Sequence, residues 1–198
     1  MLTNTQFRIL DLFTNHITSR FSLREAAKLI GMNVSLAHRN MKPLLERKLL
    51  QTDSHNFISL NYRENHSILA YVESMNAYGF LIKKKELRMF MEEVKEKIKE
   101  DSFILLIFGS AVNTQKPGDI DILLIVDNPD KVEFNNRFIH NIASNYSIPI
   151  EARTISSESV YEMLAKRDEA NVINETLNKH IIFYGAELFY RLIRRGRQ

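Results

Sequence analysis

Phe103-Ile104-Leu105-Leu106-Ile107-Phe108-Gly109-Ser110 is a run of six apolar residues closed by a glycine and a serine, and after eight intervening residues comes Asp119-Ile120-Asp121. Continuous apolar runs of this length are expected of strands buried on both faces, and Ile120 to Val126 has the same character. A buried strand ending in Gly-Ser puts a residue without a side chain, then a small hydroxyl, where a phosphate can approach the backbone. Two acids two residues apart at the start of a strand emerge on one face. They can bridge two cations about 3.5 to 4 Å apart. Carboxylates at the mouth of an interior strand repel each other and lose hydration, a cost relieved by protonation, by basic partners or by metal. Metal is the economical choice of the three. An isolated D-x-D more often marks only the exposed edge of a strand; the preceding strand and Gly-Ser reverse that preference here. The chain has no cysteine, and its six histidines are scattered without ligand spacing. Any metal is therefore held mainly by carboxylates, which favours magnesium or manganese.

Outward from this stretch, strands and helices alternate. Val132, Phe134, Phe138, Ile139, Ile142 and Ala143 predict a helix between Asp130 and Asn145, and Ile148 to Thr154 predicts the next strand. Helical patterns follow over Ser157 to Arg167 and Glu169 to Asn178, then a strand from Ile181 to Tyr184 and a closing helix from Ala186 to Arg195. Arg191, Arg194, Arg195 and Arg197 at its end could touch nucleic acid, but cations there also complement the helix dipole, and that simpler account is preferred. On the N-terminal side, helices are expected near His66 to Tyr78 and Lys84 to Glu100, divided by Gly79. Their apolar stripes predict packing between the domains or onto the sheet.

The first 62 residues follow another pattern. Thr3 with Gln6 and Ser22 with Glu25 are capping boxes, the first opening a helix that should end near Ser19, and Gly31 supplies a left-handed terminus for the second. Asn33 or Ser35 can cap a third helix, in which Pro43 predicts a kink or break. Leu49 to Thr52 and Phe57 to Leu60 read as a hairpin around Asp53 to Asn56. Helix, helix, turn, helix and hairpin resemble a winged helix, with Ser35, His38, Arg39, Asn40 and Lys42 as candidate contacts to double-stranded DNA. Residues 1 to 62 carry eight Lys or Arg against four Asp or Glu, whereas the other 136 carry 19 against 20. This asymmetry suits a nucleic-acid-binding head on a near-neutral body, although surface solubility or protein binding would also account for it.

Strand, Gly109-Ser110, spacer and Asp119-Ile120-Asp121 together resemble the polymerase-beta-like nucleotidyltransferases, most closely the minimal archaeal and bacterial type, including those fused to an N-terminal winged helix. The resemblance implies an enzyme that moves a nucleoside monophosphate from a nucleoside triphosphate to a protein, RNA or small-molecule hydroxyl with magnesium or manganese. It assigns the third carboxylate ligand to Glu151, within Ile150-Glu151-Ala152, and the triphosphate contacts to Gly109 and Ser110. Some relatives are antitoxins that nucleotidylate a partner toxin. Where many members carry an aromatic or basic residue, Ala, a basic residue and Gly after Gly-Ser, this chain has Ala111, Val112, Asn113 and Thr114. The usual basic triphosphate contact is thus missing at Asn113, and Lys116 is the candidate replacement.

The expected organisation is α+β: a winged helix over 1–62, connecting helices over 63–100, and a mixed-sheet nucleotidyltransferase domain over 101–198. At 198 residues and 44% hydrophobic content the chain can bury two small cores. Neither a membrane span nor a signal peptide is indicated, so the expected location is cytoplasmic. A second function class stays open, a DNA-binding regulator or antitoxin-like protein whose body serves as a nucleotide sensor or partner-binding module.

Overall fold

The computed structural model describes residues 1–112, 114, 118–167 and 169–197. Among them the order is α1 (Asn4–Thr14), β1 (Arg20–Phe21), α2 (Leu23–Ile30), α3 (Val34–Glu46), β2 (Leu50–Thr52), β3 (Ile58–Leu60), α4 (His66–Leu81), α5 (Lys85–Lys97), β4 (Phe103–Phe108), β5 (Ile120–Val126), α6 (Val132–Ala143), β6 (Ile150–Ser156), α7 (Ser157–Ala165), α8 (Val172–Thr176), β7 (His180–Tyr184) and α9 (Ala186–Gly196). The fold is α+β.

In the N-terminal unit both capping boxes form, Gly31 ends α2 at φ 68°, and Asn33 is the residue that caps α3. Helix α1 stops at Thr14, short of the expected Ser19, because the Asn15 side chain turns back to donate to the carbonyl and carboxylate of Asp11. The hairpin gains a third strand, β1, giving the order β1-β3-β2. Two residues are too few to show an alternation in sequence. Helix α3 continues through Pro43 to Glu46 without a break. The ring falls in the last turn, and the carbonyl that loses its donor belongs to Arg39, an exposed residue that water can serve.

Gly79 does not divide two helices; α4 runs through it to Leu81, and the break comes over 82–84. An interior glycine costs about 1 kcal/mol relative to alanine, which the complete burial of Leu69 and Val72 and near-complete burial of Ala77 and Leu81 outweighs. Lys84, its ammonium 4.0 Å from the Phe80 ring centroid, marks the turn into α5.

The larger sheet has the order β6-β5-β4-β7, in which β4 is antiparallel to β5 and β7 while β5 and β6 run parallel. All six residues of β4 are buried, as the apolar run predicts. Alternation sends Ile122 and Leu124 of β5 into a core with Phe90 and Met91 of α5 and Ile139 of α6. Leu123 and Ile125 point the other way, into a cluster shared with Phe189 and Ile193 of α9 and with Ile9, Leu10, Phe13 and Met41 of the N-terminal unit. One core therefore crosses the boundary near residue 62.

Polar contacts reinforce that junction. The amide of Ile17 donates to the Leu177 carbonyl, and Thr18 and Asn178 exchange hydrogen bonds. On α4, Glu73 is 1% exposed and accepts through Oε1 from the Tyr190 hydroxyl at 2.5 Å and from His180 Nε2 at 3.2 Å. The other imidazole nitrogen of His180 meets the Thr176 carbonyl. A cleft of about 430 Å³ lies between α1 and the sheet, with Arg8, Asp11 and His16 on one side and Val112 and Ile181 on the other. Among the described residues no helix is long and apolar enough to cross a membrane.

Candidate functional site

The end of β4 and the start of β5 meet because Phe108 pairs with Asp121 across the antiparallel ladder. The next residue, Gly109, has φ 69°, and a Cβ placed there would come within 2.5 Å of Asp121 Oδ2 and 3.6 Å of Glu175 Oε1. Any side chain would be strained by the backbone and would collide with the carboxylate, so glycine is required on two counts. The chain then makes a 3-10 turn over Gly109–Val112, leaving Ser110 exposed. Thr114 N donates to the Ser110 carbonyl at 3.1 Å.

Asp119 is exposed just before β5, and Asp121 is half-buried at its second position. Strand β6 starts alongside, anchored by the Ile120 amide donating to the Pro149 carbonyl at 2.8 Å. The parallel register places Glu151 beside Asp121 and Arg153 beside Leu123. Residues paired in this way share a face of the sheet. Glu151 is exposed.

Burial, together with the charges of Glu175 and Asp119, raises the Asp121 carboxyl above its ordinary value of 3.8, and Arg153 opposes the shift. Asp121, Glu175 and Arg153 open onto a cleft of about 570 Å³ that Phe108, Asn171 and Asn174 also line. The asparagines are committed locally. Asn171 Oδ1 caps the Asn174 amide at 2.8 Å, and the Asn174 side chain donates to the carbonyls of Lys166 and Glu169 at 2.9 Å. Glu175 and Arg153 therefore supply the charged groups that face Asp121 across the cleft.

The structure brings Gly109, Ser110, Asp119, Asp121 and Glu151 to one end of the sheet. Lys116 and Asn113 lie outside the described residues. Sequence reasoning missed Arg153 and Glu175. The strand period could have found Arg153, two residues after Glu151 and on the same face. Glu175 arrives on α8 through the path of the chain, and no local spacing announces it. Among the described residues no set of three His, Asp or Glu side chains converges tightly enough to form a metal centre. The donor chemistry nevertheless fits a hard divalent cation: carboxylate oxygens at a strand mouth, one of them short of solvation and crowded by like charge.

In the N-terminal unit Ser35, His38, Arg39 and Lys42 are exposed on α3. Asn40 is half-buried, and its amide donates to the Leu36 carbonyl at 2.9 Å, which turns it toward its own helix. His38 and Lys42 also border a cleft of about 300 Å³ with Met41, Leu45 and Ile58.

No protein-family model matches the chain. No curated protein matches it. Among solved structures, an IclR homolog from Microbacterium sp. strain HM58-2 is similar over 60% of this chain and 44% of its own length, at 12% identity and a TM-score of 0.30. The present chain thus spans less than half of that protein.

Proposed function

We propose that the chain is a metal-dependent nucleotidyltransferase, moving a nucleoside monophosphate from a nucleoside triphosphate to a hydroxyl of a protein, RNA or small molecule. In this scheme residues 1 to 62 form a winged helix-turn-helix that binds double-stranded DNA through the exposed side of α3. The observation that supports the enzyme most is the contact of Gly109 with Asp121, which sets a loop able to hold phosphate directly against a pair of acids, with Glu151 in register beside them.

Asp119, Asp121 and Glu151 are the residues that would hold magnesium or manganese. When bound, the metal offsets charge on the transferring phosphate. Backbone N–H groups of the Gly109–Val112 turn and the Ser110 hydroxyl would orient the outer phosphates, with Lys116 as the candidate cation. Pyrophosphate then leaves after in-line attack of the acceptor oxygen on the alpha phosphorus. Most of the rate advantage comes from positioning and charge stabilisation.

Incubation with alpha-labelled nucleotides, magnesium and cell lysate tests this, with label expected on a defined acceptor band. The double variant Asp119→Asn, Asp121→Asn should lose at least ~100-fold of the transfer, roughly 2.7 kcal/mol of barrier, while melting like the wild type. Equal transfer by a folded double variant would overturn the assignment.

Arg153 favours a second reading, because it already offsets part of the charge around Asp121 without any metal. In that reading the chain is a DNA-binding regulator or antitoxin-like protein whose body senses a nucleotide or holds a partner. Wild-type protein that binds nucleotide and magnesium yet labels no acceptor would support it.

A further inference from the structure

Helix α9 buries Phe189, Tyr190, Leu192 and Ile193 and turns Arg191, Arg194 and Arg195 outward. Complementing the dipole of α9 needs only that these cations be near its C-terminus. Their placement goes further: all three line one cleft of about 480 Å³, and its fourth wall is His66, the first residue of α4. Arg191 has an acidic partner, Glu187, at 2.5 Å. Among the described residues Arg194 and Arg195 have none within ion-pair distance. The start of α4 carries no acidic residue in its first turn and no side-chain cap, so its N-terminal amides add partial positive charge to the same space. Collecting three guanidinium groups around one cleft, two of them without an acidic partner among the described residues, costs repulsion that an anion would relieve.

The surroundings extend the basic tract well beyond one small ion. Asn65, next to His66, donates to the carbonyls of Arg47 at 3.0 Å and Lys48 at 3.4 Å, which sets the cleft beside the C-terminal end of α3. Arg63 donates to the Arg197 carbonyl at 3.0 Å and closes the other side. Arg47, Lys48 and Arg63 are exposed; Glu64 lies 3.8 Å from Lys48. A ligand with one phosphate would meet only the cleft, whereas a chain of phosphates can follow the tract toward α3.

We propose that His66, Arg191, Arg194 and Arg195 form a phosphate-binding site for the backbone of a nucleic acid, a contact separate from the base-facing side of α3. It extends the DNA-binding reading of residues 1 to 62, and it is tested apart from that reading. Arginine suits the role because its planar fork pairs with phosphate oxygens in two hydrogen bonds.

The test measures binding of the full chain to a labelled mixed-sequence DNA duplex by fluorescence anisotropy over a range of salt. Wild type is compared with the pair Arg194→Gln, Arg195→Gln and with the pair Arg39→Gln, Lys42→Gln. All four substituted positions are exposed, so melting should be unchanged in both variants and serves as the control. Loss of two phosphate contacts should weaken binding alike for every sequence and reduce the slope of log affinity against log salt by about 2. If the Arg194, Arg195 variant keeps the wild-type slope while the Arg39, Lys42 variant weakens, the cleft site is refuted and the α3 contact stands. If the reverse holds, the cleft site stands without α3. No salt-sensitive binding by the wild type overturns both. Binding of polyglutamate in preference to the duplex would also sink the nucleic-acid assignment, making the cleft a site for an acidic protein.

Discussion

Glu73 on α4 and Asp121 on β5 are both acids drawn out of water, but the first is sealed and the second is open. Around Glu73, Tyr190 and His180 donate to one oxygen, and nothing reaches it from solvent. Burial alone would lower the His180 imidazole, but the Glu73 charge, their hydrogen bond and the Thr176 carbonyl leave it raised. Burial and the same carboxylate hold Tyr190 well above its ordinary range, so it stays a donor. Around Asp121 the neighbours that matter most are acids, and the space beyond is a cleft rather than a core. An acid drawn out of water thus marks two different things. At Glu73 one oxygen is held by two donors of the fold, whereas at Asp121 the carboxyl faces other acids and an open cleft.

Substitution at the sealed acid should have the largest effect. Glu73→Leu strands the Tyr190 hydroxyl and the His180 imidazole in the core, with an expected loss of about 3 to 5 kcal/mol in urea unfolding. It should also remove a pH dependence. A base raised above its unfolded value of 6.5 contributes stability that is complete below that value and fades as pH rises through the folded value. Wild type should therefore lose melting temperature above about pH 6.5 from this source, and the variant should not. A variant as stable as wild type, with the same pH profile, would mean that the buried network holds nothing together.

At the open end, Glu151→Gln should impair transfer by at least ~100-fold, about 2.7 kcal/mol of barrier, with nucleotide affinity by calorimetry little changed. In the proposed scheme Asp119 and Asp121 would remain to hold the metal that accompanies the triphosphate. An equal transfer rate would leave Glu151 a solvated strand residue and turn attention to Glu175 as the acid that Asp121 feels most.

The smallest effect concerns stability at that same end. In metal-free buffer Asp121→Asn should melt slightly higher than wild type at neutral pH. An acid whose folded value is raised favours the fold most below its unfolded value of 3.8, and that advantage is lost as pH rises through the folded value. The gain should accordingly shrink toward zero in acid. A variant less stable than wild type at neutral pH would make Asp121 a structural group, closer in kind to Glu73.

Much of this contrast was legible in sequence, but unevenly. The apolar runs of β4 and β5 have the bounds expected of them, and the caps of α1 and α2 form as Thr3, Gln6, Ser22 and Glu25 predict, because each depends on neighbours within a few residues. The loop at Gly109 and the acids at 119 and 121 were visible for the same reason. No local pattern announces the role of Glu73; its partners come from β7 and α9, more than a hundred positions away. Gly79 misled because local propensity suggested a break, while the burial of Ala77 and Leu81 kept the helix going. Glu175 stayed hidden because nothing near it in sequence signals where α8 will be carried.

Val112 ends the turn that starts at Gly109, and it also walls the cleft facing Arg8, Asp11 and His16 of α1. Val112 thus links the turn that begins beside Asp121 to a cleft that opens toward the N-terminal unit. Equilibrium coupling is symmetric: a ligand that favours one placement of this turn changes the affinity for a second ligand at α1 by some factor, and the second returns that same factor to the first. With a packed core on either side of the junction, such a shift has little room to dissipate locally. If the sheet end binds nucleotide and residues 1 to 62 bind DNA, as proposed, this turn would link the two events in a single free-energy cycle.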